Sequence, residues 1–447
     1  MPSSGNNAQS TVNAPRQTPQ ERAAATRKRK YDTFVQEGID ETSVKGRSYK
    51  TLKPFYQAGL WWPQGICLYS DISMTLVDGI KDGQRDTHEE EEDEEDDGAD
   101  VSKPSEIARA RNVHAFTLFA QRYPELLELF YQTIEYEDSD TFDRMVTTIM
   151  EGYKQARRTD TNRIKDDICD WFLRAMKDST NELDDFSFEV EPISRTDLKS
   201  ERGVHHPLTR AFLIPFDYMG RVYLQSDGVE ACNKVFSDLK KGSKRLNKKR
   251  RKGKKGKATD DREDETGIPL ESASLCAFLY SINDYDPEKM WSGLFRGPLL
   301  IFAYRAIFTS PSSALGEKSA PTKSGNAKIH GVFEVSVESI AYVSAQVRFA
   351  LCTKHSWTKE DGVFNLEAFY FFVLDLMLKA PPQWREDLLE FWNDAVFGDT
   401  SDSFVLDKPK AGSNMAVIMQ QFTRDFSDAN SADPAAEDPA DGASSSA

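Results

Sequence analysis

Apolar residues recur at helical spacing along most of the chain. Between residues 142 and 153 they fall at i, i+3, i+4, i+7, i+8 and i+11, which places them on one face of a helix: Phe142, Met145, Val146, Ile149, Met150 and Tyr153. The pattern repeats at 164–175, 340–351 and 384–396. Alternation with a period of two is scarce, and GVFEVSV at 331–337 is its main example. These observations predict an all-α protein.

The most apolar segment, PLLIFAYRAIF at 298–308, carries apolar residues on nearly every side of a helix. Such a helix is typical of the middle of a core, so we expect Phe302 and Ile307 to be almost fully buried. The preceding stretch DPEKMWSGLFRG is expected to begin a helix, with Asp286 as its cap and Pro287 in its first position. The Gly-Pro step before the apolar segment should then break or kink that helix.

Two runs of charge interrupt the apolar pattern. Residues 89–97 are nine consecutive acids, which repel one another and predict an extended linker. Residues 240–257 contain twelve Lys or Arg and three glycines without apolar periodicity, which predicts a flexible loop inserted into a folded domain.

The resulting prediction is a single large discontinuous helical domain with disordered termini and two charged disordered insertions. Its parts in chain order are a disordered N-terminal tail (1–40), a first helical segment of the core (41–87), an acidic linker (88–104), a helical core part (105–239), a basic disordered loop (240–267), a helical core part with the central apolar helix (268–398) and a disordered acidic tail (399–447).

Composition narrows the class of protein. The 447 residues carry a net charge of −16, which argues against a protein that coats nucleic acid or membranes with its whole surface. The five cysteines include no CxxC pair, so buried reduced thiols are expected rather than a zinc site or a disulfide framework. The first twenty residues lack the apolar core of a secretory signal, and no apolar run is long enough to span a bilayer. We therefore expect a protein that is neither secreted nor embedded in a membrane.

Motifs typical of enzymes are missing. The chain contains no GxxxxGK[ST], GxGxxG, GxSxG or HExxH pattern, and no metal or cofactor site is predicted. A polar set does gather in the sequence around the central apolar segment, and it could serve an enzyme that acts on a phosphorylated or nucleic-acid substrate: Arg296, Ser312, Asn326, His330 and Arg348. The alternative is that guanidinium groups in apolar helices, such as those of Arg305 and Arg348, pair with acids such as Glu338 or Asp375.

The basic loop is the strongest functional signal. A lysine- and arginine-rich tract serves as a nuclear import signal, as a non-specific nucleic-acid contact, or as both. The candidate residues are Lys244, Arg245, Lys248, Lys249, Arg250, Arg251, Lys252, Lys254 and Lys255. RKRK at 27–30 is a weaker second import signal, and the acids at 89–97 could mask the basic loop in the same chain. The expected partners are an import receptor and nucleic acid, with no membrane, and the expected compartment is the nucleus.

Several segments carry a resemblance to a known family. They appear in the order VKGRSYKTL, KSERGVHHPLTRAFLIP, FLYSINDYDPEKMWSGLFRGPLLIFAYRAIFTSPSSA, KSGNAKIHG and ESIAYVSAQVRFAL. Together they resemble an uncharacterised domain-of-unknown-function family expanded in mushroom-forming fungi, over residues 40–400. The resemblance implies no activity, cofactor or catalytic residue. The pair His205-His206, interpreted as part of a surface loop, and the basic insertion depart from the family's pattern.

The working hypothesis is a nuclear, non-enzymatic helical interaction or scaffold protein with weak nucleic-acid contact through its basic loop. An enzyme using the polar set and a purely protein-binding helical adaptor remain alternatives. Convergence of the polar set on one pocket would favour the enzyme, and its dispersal into caps and ion pairs would favour the scaffold.

Overall fold

The computed structural model describes residues 18–43, 50–85, 104–179, 272–281, 288–310, 333–361 and 364–398, with shorter pieces at 193, 198–203, 206, 209, 212–215, 283–286, 313–315 and 331. Of the described residues 73% are helical, so the protein is all-α as its periodicity predicts. Contacts divide the chain into Met1–Val396 and Phe397–Ala447. The described helices and strands lie in the first of these units, apart from Phe397 at its border.

Ten α-helices occur in the described part of the chain. They are α1 Pro19–Ser43, α2 Lys53–Gly65, α3 Ile72–Arg85, α4 Pro104–Arg122, α5 Pro124–Glu135, α6 Ser139–Ser179, α7 Pro298–Phe308, α8 Val337–Leu351, α9 Leu366–Lys379 and α10 Pro382–Phe397. A two-stranded antiparallel hairpin, β1 Glu360–Asp361 and β2 Phe364–Asn365, precedes α9. Two 3-10 turns, Lys199–Glu201 and Ala277–Leu279, are also described.

The 41-residue helix α6 is the longest of the described elements, and among them α2 packs against it most closely. Glycines permit this approach: a Cβ atom on Gly59 would lie 2.1 Å from the carbonyl oxygen of Ile149, and one on Gly152 would lie 2.2 Å from that of Tyr56. The side chain of Asp138 accepts a hydrogen bond from the amide of Thr141 at 3.0 Å, so Asp138 caps α6.

Helices α7 and α8 form the centre of the core. Phe302 and Ile307 of α7 are 5% and 1% exposed, which confirms the predicted burial of this apolar helix. All fifteen residues of α8 are buried, and Ser336 caps it through a reciprocal pair of hydrogen bonds with Ser339. The hydroxyl groups of Tyr304 and Ser339 lie 3.0 Å apart and join the two helices.

The predicted helix before α7 is wrong. Residues 288–297 form turns, and the Asp286 side chain accepts a hydrogen bond from the amide of Glu288 instead of capping a helix; Pro287 lies outside the described residues. The carbonyl of Gly293 accepts from the amide of Ser281, and Phe295 adopts a φ of 59°. Pairing with a distant segment therefore overrides the local helical signal, and α7 begins at Pro298.

Two further stretches differ from what their sequence pattern suggests. Residues 333–336 of GVFEVSV are not a strand, because Ser336 already caps α8. The tail predicted to be disordered up to residue 40 contains α1 from Pro19 onward. Thr18 and Glu21 begin this helix with a capping box, in which each backbone amide donates to the other's side chain. Its apolar stripe is thin, and only Tyr31 and Gly38 are buried.

Candidate functional site

Most of the predicted site residues lie outside the described residues. This is the case for all nine cations of the basic loop: Lys244, Arg245, Lys248, Lys249, Arg250, Arg251, Lys252, Lys254 and Lys255. It is also the case for Ser312, Asn326 and His330 of the polar set, and for the acids at 89–97. The roles assigned to these residues stay predictions.

The two described members of the polar set, Arg296 and Arg348, have different surroundings. The guanidinium carbon of Arg296 lies 4.7 Å from the centre of the Phe391 ring on α10. Arg348, in the last turn of α8, lies 3.8 Å from the centre of the Phe364 ring and 3.5 Å from a carboxylate oxygen of Asp361. No described partner is common to the two arginines, so the structure gives no convergence of this pair on one pocket.

The charged groups on the buried helices have partners, although not the predicted ones. Arg305 donates to the carbonyl of Ala395 in the last turn of α10. Glu338 lies 3.1 Å from the imidazole of His114, and Asp375 pairs with Arg111 at 3.3 Å. Pairing with an acid is therefore observed for Arg348, whose partner is Asp361, whereas Arg305 bonds to a backbone carbonyl. The pairs themselves depend on which helices become neighbours.

A group of buried cations surrounds the C-terminal end of α8. The ammonium group of Lys199 donates to the carbonyls of Phe349, at 2.8 Å, and of Lys354. It also lies 3.9 Å from the centre of the Phe349 ring and 3.5 Å from the sulfur of Cys352. The Lys199 residue is only 4% exposed, and burial lowers its pKa to about 8.

Arg202 lies three residues further along and is 2% exposed. One of its terminal nitrogens donates to the carbonyls of Lys165, at 2.7 Å, and Ala350, at 3.0 Å, while the other contacts the sulfur of Cys169 at 3.0 Å. Cations near a helix C-terminus compensate its partial negative charge and satisfy carbonyls that lack a helical partner. Arg202 thus connects α6 to the end of α8.

Arg348 completes this group, which we call the α8 cation cluster: Lys199, Arg202 and Arg348. Asp361 contributes a favourable charge for both Lys199 and Arg348. Nearby, burial raises the pKa of Cys276 to about 11, although Arg348 acts in the opposite direction. The thiol of Cys276 is therefore protonated at neutral pH rather than a reactive thiolate.

Two members of the α8 cation cluster were not predicted from the sequence. Lys199 and Arg202 belong to KSERGVHHPLTR, which we interpreted as a surface loop, but residues 199, 202, 203 and 209 are buried. Of the histidine pair, His206 is half-buried and His205 lies outside the described residues. A polar run of this kind is usually exposed, since lysine and arginine are rarely buried unless they are paired. The sequence offered no signal for their burial.

A second buried polar network joins α2, α6 and α8. The carboxylate of Asp160 accepts hydrogen bonds from the Gln64 amide at 2.6 Å and the Tyr342 hydroxyl at 2.9 Å. Burial raises the pKa of Asp160 to about 6, against the lowering effect of these two hydrogen bonds. At the next position, Thr161 donates to Gln346 at 3.0 Å. This network fixes the register of three helices in the core.

The second basic tract, RKRK at 27–30, lies in α1. Two of its four residues contact other parts of the fold and two are exposed. Arg27 pairs with Glu128 and, at 3.6 Å, with Glu135 on α5. The ammonium group of Lys28 lies 5.6 Å from the centre of the Tyr136 ring. Arg29 and Lys30 are exposed. The tract is therefore half attached to the fold, and it does not lie in the disordered tail that the sequence predicted.

The described residues give no indication of a metal site, a membrane-spanning helix or a disulfide bond. Among them there is no group of three or more His, Cys, Asp or Glu side chains placed to hold a metal ion. None of the helices described is long and apolar enough to cross a membrane. Cys67, Cys169, Cys276 and Cys352 are buried, as expected, and none of these four forms a disulfide bond; Cys232 lies outside the described residues.

Comparison with known proteins gives a family but no activity. A family model described as "Family of unknown function (DUF6698)" matches residues 151–397, from within α6 to the end of α10. No curated protein and no solved structure matches the chain. The matched region includes the α8 cation cluster, the central helix α7 and the basic loop.

Proposed function

This chain belongs to the DUF6698 family of unknown function, and we propose that it is a nuclear helical scaffold that contacts nucleic acid without sequence preference through residues 240–257. The segregation of charge along the chain carries this proposal. Twelve of the eighteen residues at 240–257 are Lys or Arg, within a chain whose net charge is −16. Lysine-rich segments neutralise phosphates, and phosphate contacts carry no base information.

The segment's composition defines the kind of contact. It contains no aromatic residue on which a base could stack, so binding is electrostatic and falls steeply with salt. On duplex DNA each neutralised phosphate adds about 0.9 to the salt slope, so about four to six neutralised phosphates correspond to a slope near −4 to −5. Affinity at physiological salt is then in the micromolar range or weaker, typical of non-specific binding.

The pairing of charged groups in the core supports the scaffold part of the proposal. Asp160, Lys199, Arg202 and Arg305 each bond to neighbouring helices or to their carbonyls. Side chains engaged in this way hold elements together, whereas a catalytic group must reach a substrate. The same basic segment, recognised by an import receptor, accounts for the proposed nuclear location.

One variant tests both proposed roles of the basic segment at 240–257, nuclear import and nucleic-acid contact. Replacing Lys248, Lys249, Arg250, Arg251 and Lys252 with alanine removes five charges. A reporter fused to the whole chain should then shift from nucleus to cytoplasm. The salt slope of fluorescent duplex DNA binding should fall by several units, by about 0.9 for each phosphate that the variant no longer neutralises.

A control matched in charge replaces five exposed lysines of the core with alanine: Lys53, Lys81, Lys154, Lys289 and Lys379. It should retain both the location and the salt slope. Unchanged DNA binding in the first variant contradicts the nucleic-acid role. Unchanged nuclear accumulation contradicts its role in import, after which the tract at 27–30 is the next to be replaced.

A further inference from the structure

Helix α1 has two faces of different chemistry. Tyr31, Phe34, Val35 and Gly38 follow the i, i+3, i+4, i+7 spacing of one helical face, and they are its buried or half-buried residues. The Tyr31 ring lies 5.0 Å from that of Tyr136, and its hydroxyl donates to Asp138 at 3.0 Å. These contacts determine which side of α1 faces the core.

The residues of the basic tract RKRK, nearer the start of the helix, are distributed over the same two faces. Arg27 and Lys28 lie four and three residues before Tyr31, so they share its inward face, where Glu128, Glu135 and Tyr136 hold them. Arg29 lies on the opposite side. Lys30 is exposed and borders that side, although it is also four residues before Phe34. Arg22 is seven residues before Arg29 and eight before Lys30, so the three cations line the exposed side of the helix, its outward face.

The three cations of this outward face are available to a ligand. Arg22, Arg29 and Lys30 are exposed, and within the described part of the chain their side chains form no ion pair or hydrogen bond. Of the acids on α1, Glu21 is engaged in the capping box and Glu37 accepts a hydrogen bond from Thr51. Asp32 is the exposed acid nearest to Arg29 and Lys30 along the chain.

We infer that the outward face of α1, defined by Arg22, Arg29 and Lys30, binds the phosphates of duplex nucleic acid. This rests on the proposed function and adds to it a second contact that is folded. Seven residues of α-helix separate Arg22 from Arg29 by about 10 Å along the axis. One strand of a duplex carries a phosphate about every 3.4 Å of axis, so this face spans roughly three phosphates.

The chemistry of the side chains favours a phosphate ligand. Two of the three are guanidinium groups, which bind phosphate oxygens in a bidentate manner. Because the inward face anchors the helix, the cations are held on a rigid element and lose less conformational freedom on binding than the same residues in a loop. An import receptor that reads all four residues of RKRK would first have to displace Arg27 and Lys28 from their partners.

The test is a salt titration of fluorescent duplex DNA against the full chain and its R22Q/R29Q/K30Q variant. Glutamine retains helix propensity and removes the charge. The salt slope should fall by about 2 to 3, and the affinity at low salt should fall about tenfold or more. The free energy of unfolding should not change, since the three side chains bond to nothing in the described fold. The control K53Q/K81Q/K154Q removes the same charge from exposed core positions and should leave the slope unchanged.

Three results would overturn the inference. An unchanged slope in R22Q/R29Q/K30Q shows that this face does not meet DNA. If the variant binds DNA normally but no longer binds polyglutamate, used as a probe for acidic proteins, the face belongs to an acidic protein partner. If the variant binds DNA normally and loses only nuclear import, the face belongs to an import receptor. If the triple variant loses stability, the single reversal R29E decides in its place, with the same expected direction on the slope.

The same titration separates this inference from the proposed function. Alanine replacement of residues 248–252 tests the basic segment, and the glutamine variant tests α1. If the salt slope falls in the alanine variant but not in the glutamine variant, the result supports the proposed function and rejects the α1 contact. If it falls in the glutamine variant but not in the alanine variant, the result supports the α1 contact and rejects the basic segment as the nucleic-acid site. If both bind DNA, combining the variants should lower the slope by about the sum of the two effects.

Discussion

Two groups of basic residues in this protein have opposite surroundings. In the α8 cation cluster, Lys199 and Arg202 are buried and bond to the carbonyls of helices α6 and α8. On the outward face of α1, Arg22, Arg29 and Lys30 are exposed, and their side chains bond to nothing in the described residues. The same residue types therefore join helices in one place and are available for binding in the other.

The contrast shows why the number of basic residues does not locate a binding surface. A buried cation has lost its hydration and is retained only where carbonyls or carboxylates replace water. An exposed cation keeps its hydration and contributes little to stability, but it can exchange that water for phosphate oxygens. Substitutions at the two places should therefore affect different measurements.

The largest expected difference is between Arg202→Met and Arg29→Met. Removing the Arg202 guanidinium leaves the carbonyl of Ala350, at the end of α8, without its donor, so the free energy of unfolding should fall by about 1–3 kcal/mol. Arg29→Met should change it by less than about 0.5 kcal/mol. Urea unfolding of the full chain measures both. A loss below about 1 kcal/mol for Arg202→Met would show that this buried cation does not stabilise the fold.

A smaller effect is expected in the pH dependence of stability. The pKa of Lys199 is lowered from 10.5 to about 8, so between these values the unfolded chain binds more protons than the folded one. Stability from this group is lowest below pH 8 and rises with pH above it, by about 2 kcal/mol between about pH 8 and 9.5. Lys199→Met should remove this rise, and Lys30→Met should retain it. Parallel stability profiles for wild type and Lys199→Met would contradict the lowered pKa.

The smallest change in stability should come from replacing Arg27. Its surroundings are intermediate between those of the buried α8 cation cluster and those of the outward face of α1. It is half-exposed and paired with Glu128 and Glu135, and exposed ion pairs contribute about 0.2–1 kcal/mol. Arg27→Gln should leave global unfolding almost unchanged, while amide hydrogen exchange within α1 should accelerate about two- to fivefold. Arg29→Gln should leave that exchange as it is. Equal exchange rates in the two variants would show that the inward pairs do not anchor the helix.

The spacing of apolar residues along the sequence was sufficient to predict many of the helices. The helices at Ser139–Ser179, Pro298–Phe308, Val337–Leu351 and Pro382–Phe397 all follow apolar spacings that a reader of the sequence can find. Helix α1 was missed because its stripe is only four residues long and lies in a stretch rich in polar residues and alanine. The stretch at 288–297 has residues that predict a helix locally, but its backbone pairs with Leu279 and Ser281 instead.

The candidate sites were less predictable than the helices. Pairing of the buried charges was expected, but the partners were not, because Arg305 bonds to Ala395 and Asp375 to Arg111 through helices distant in sequence. The basic loop remains a prediction from sequence, since it lies outside the described residues. The division of RKRK into inward and outward pairs became visible only once Tyr31 was placed against Tyr136.

By itself the sequence determined that this chain is all-α, that Phe302 and Ile307 are buried and that residues 340–351 lie in a helix. These features depend on side-chain spacing and on hydrogen bonds within one turn of the chain. Tertiary structure alone decided which cations are inside. The carbonyls that accept from Arg202 belong to Lys165 and Ala350, 37 and 148 residues away, so no local pattern distinguishes this arginine from an exposed one.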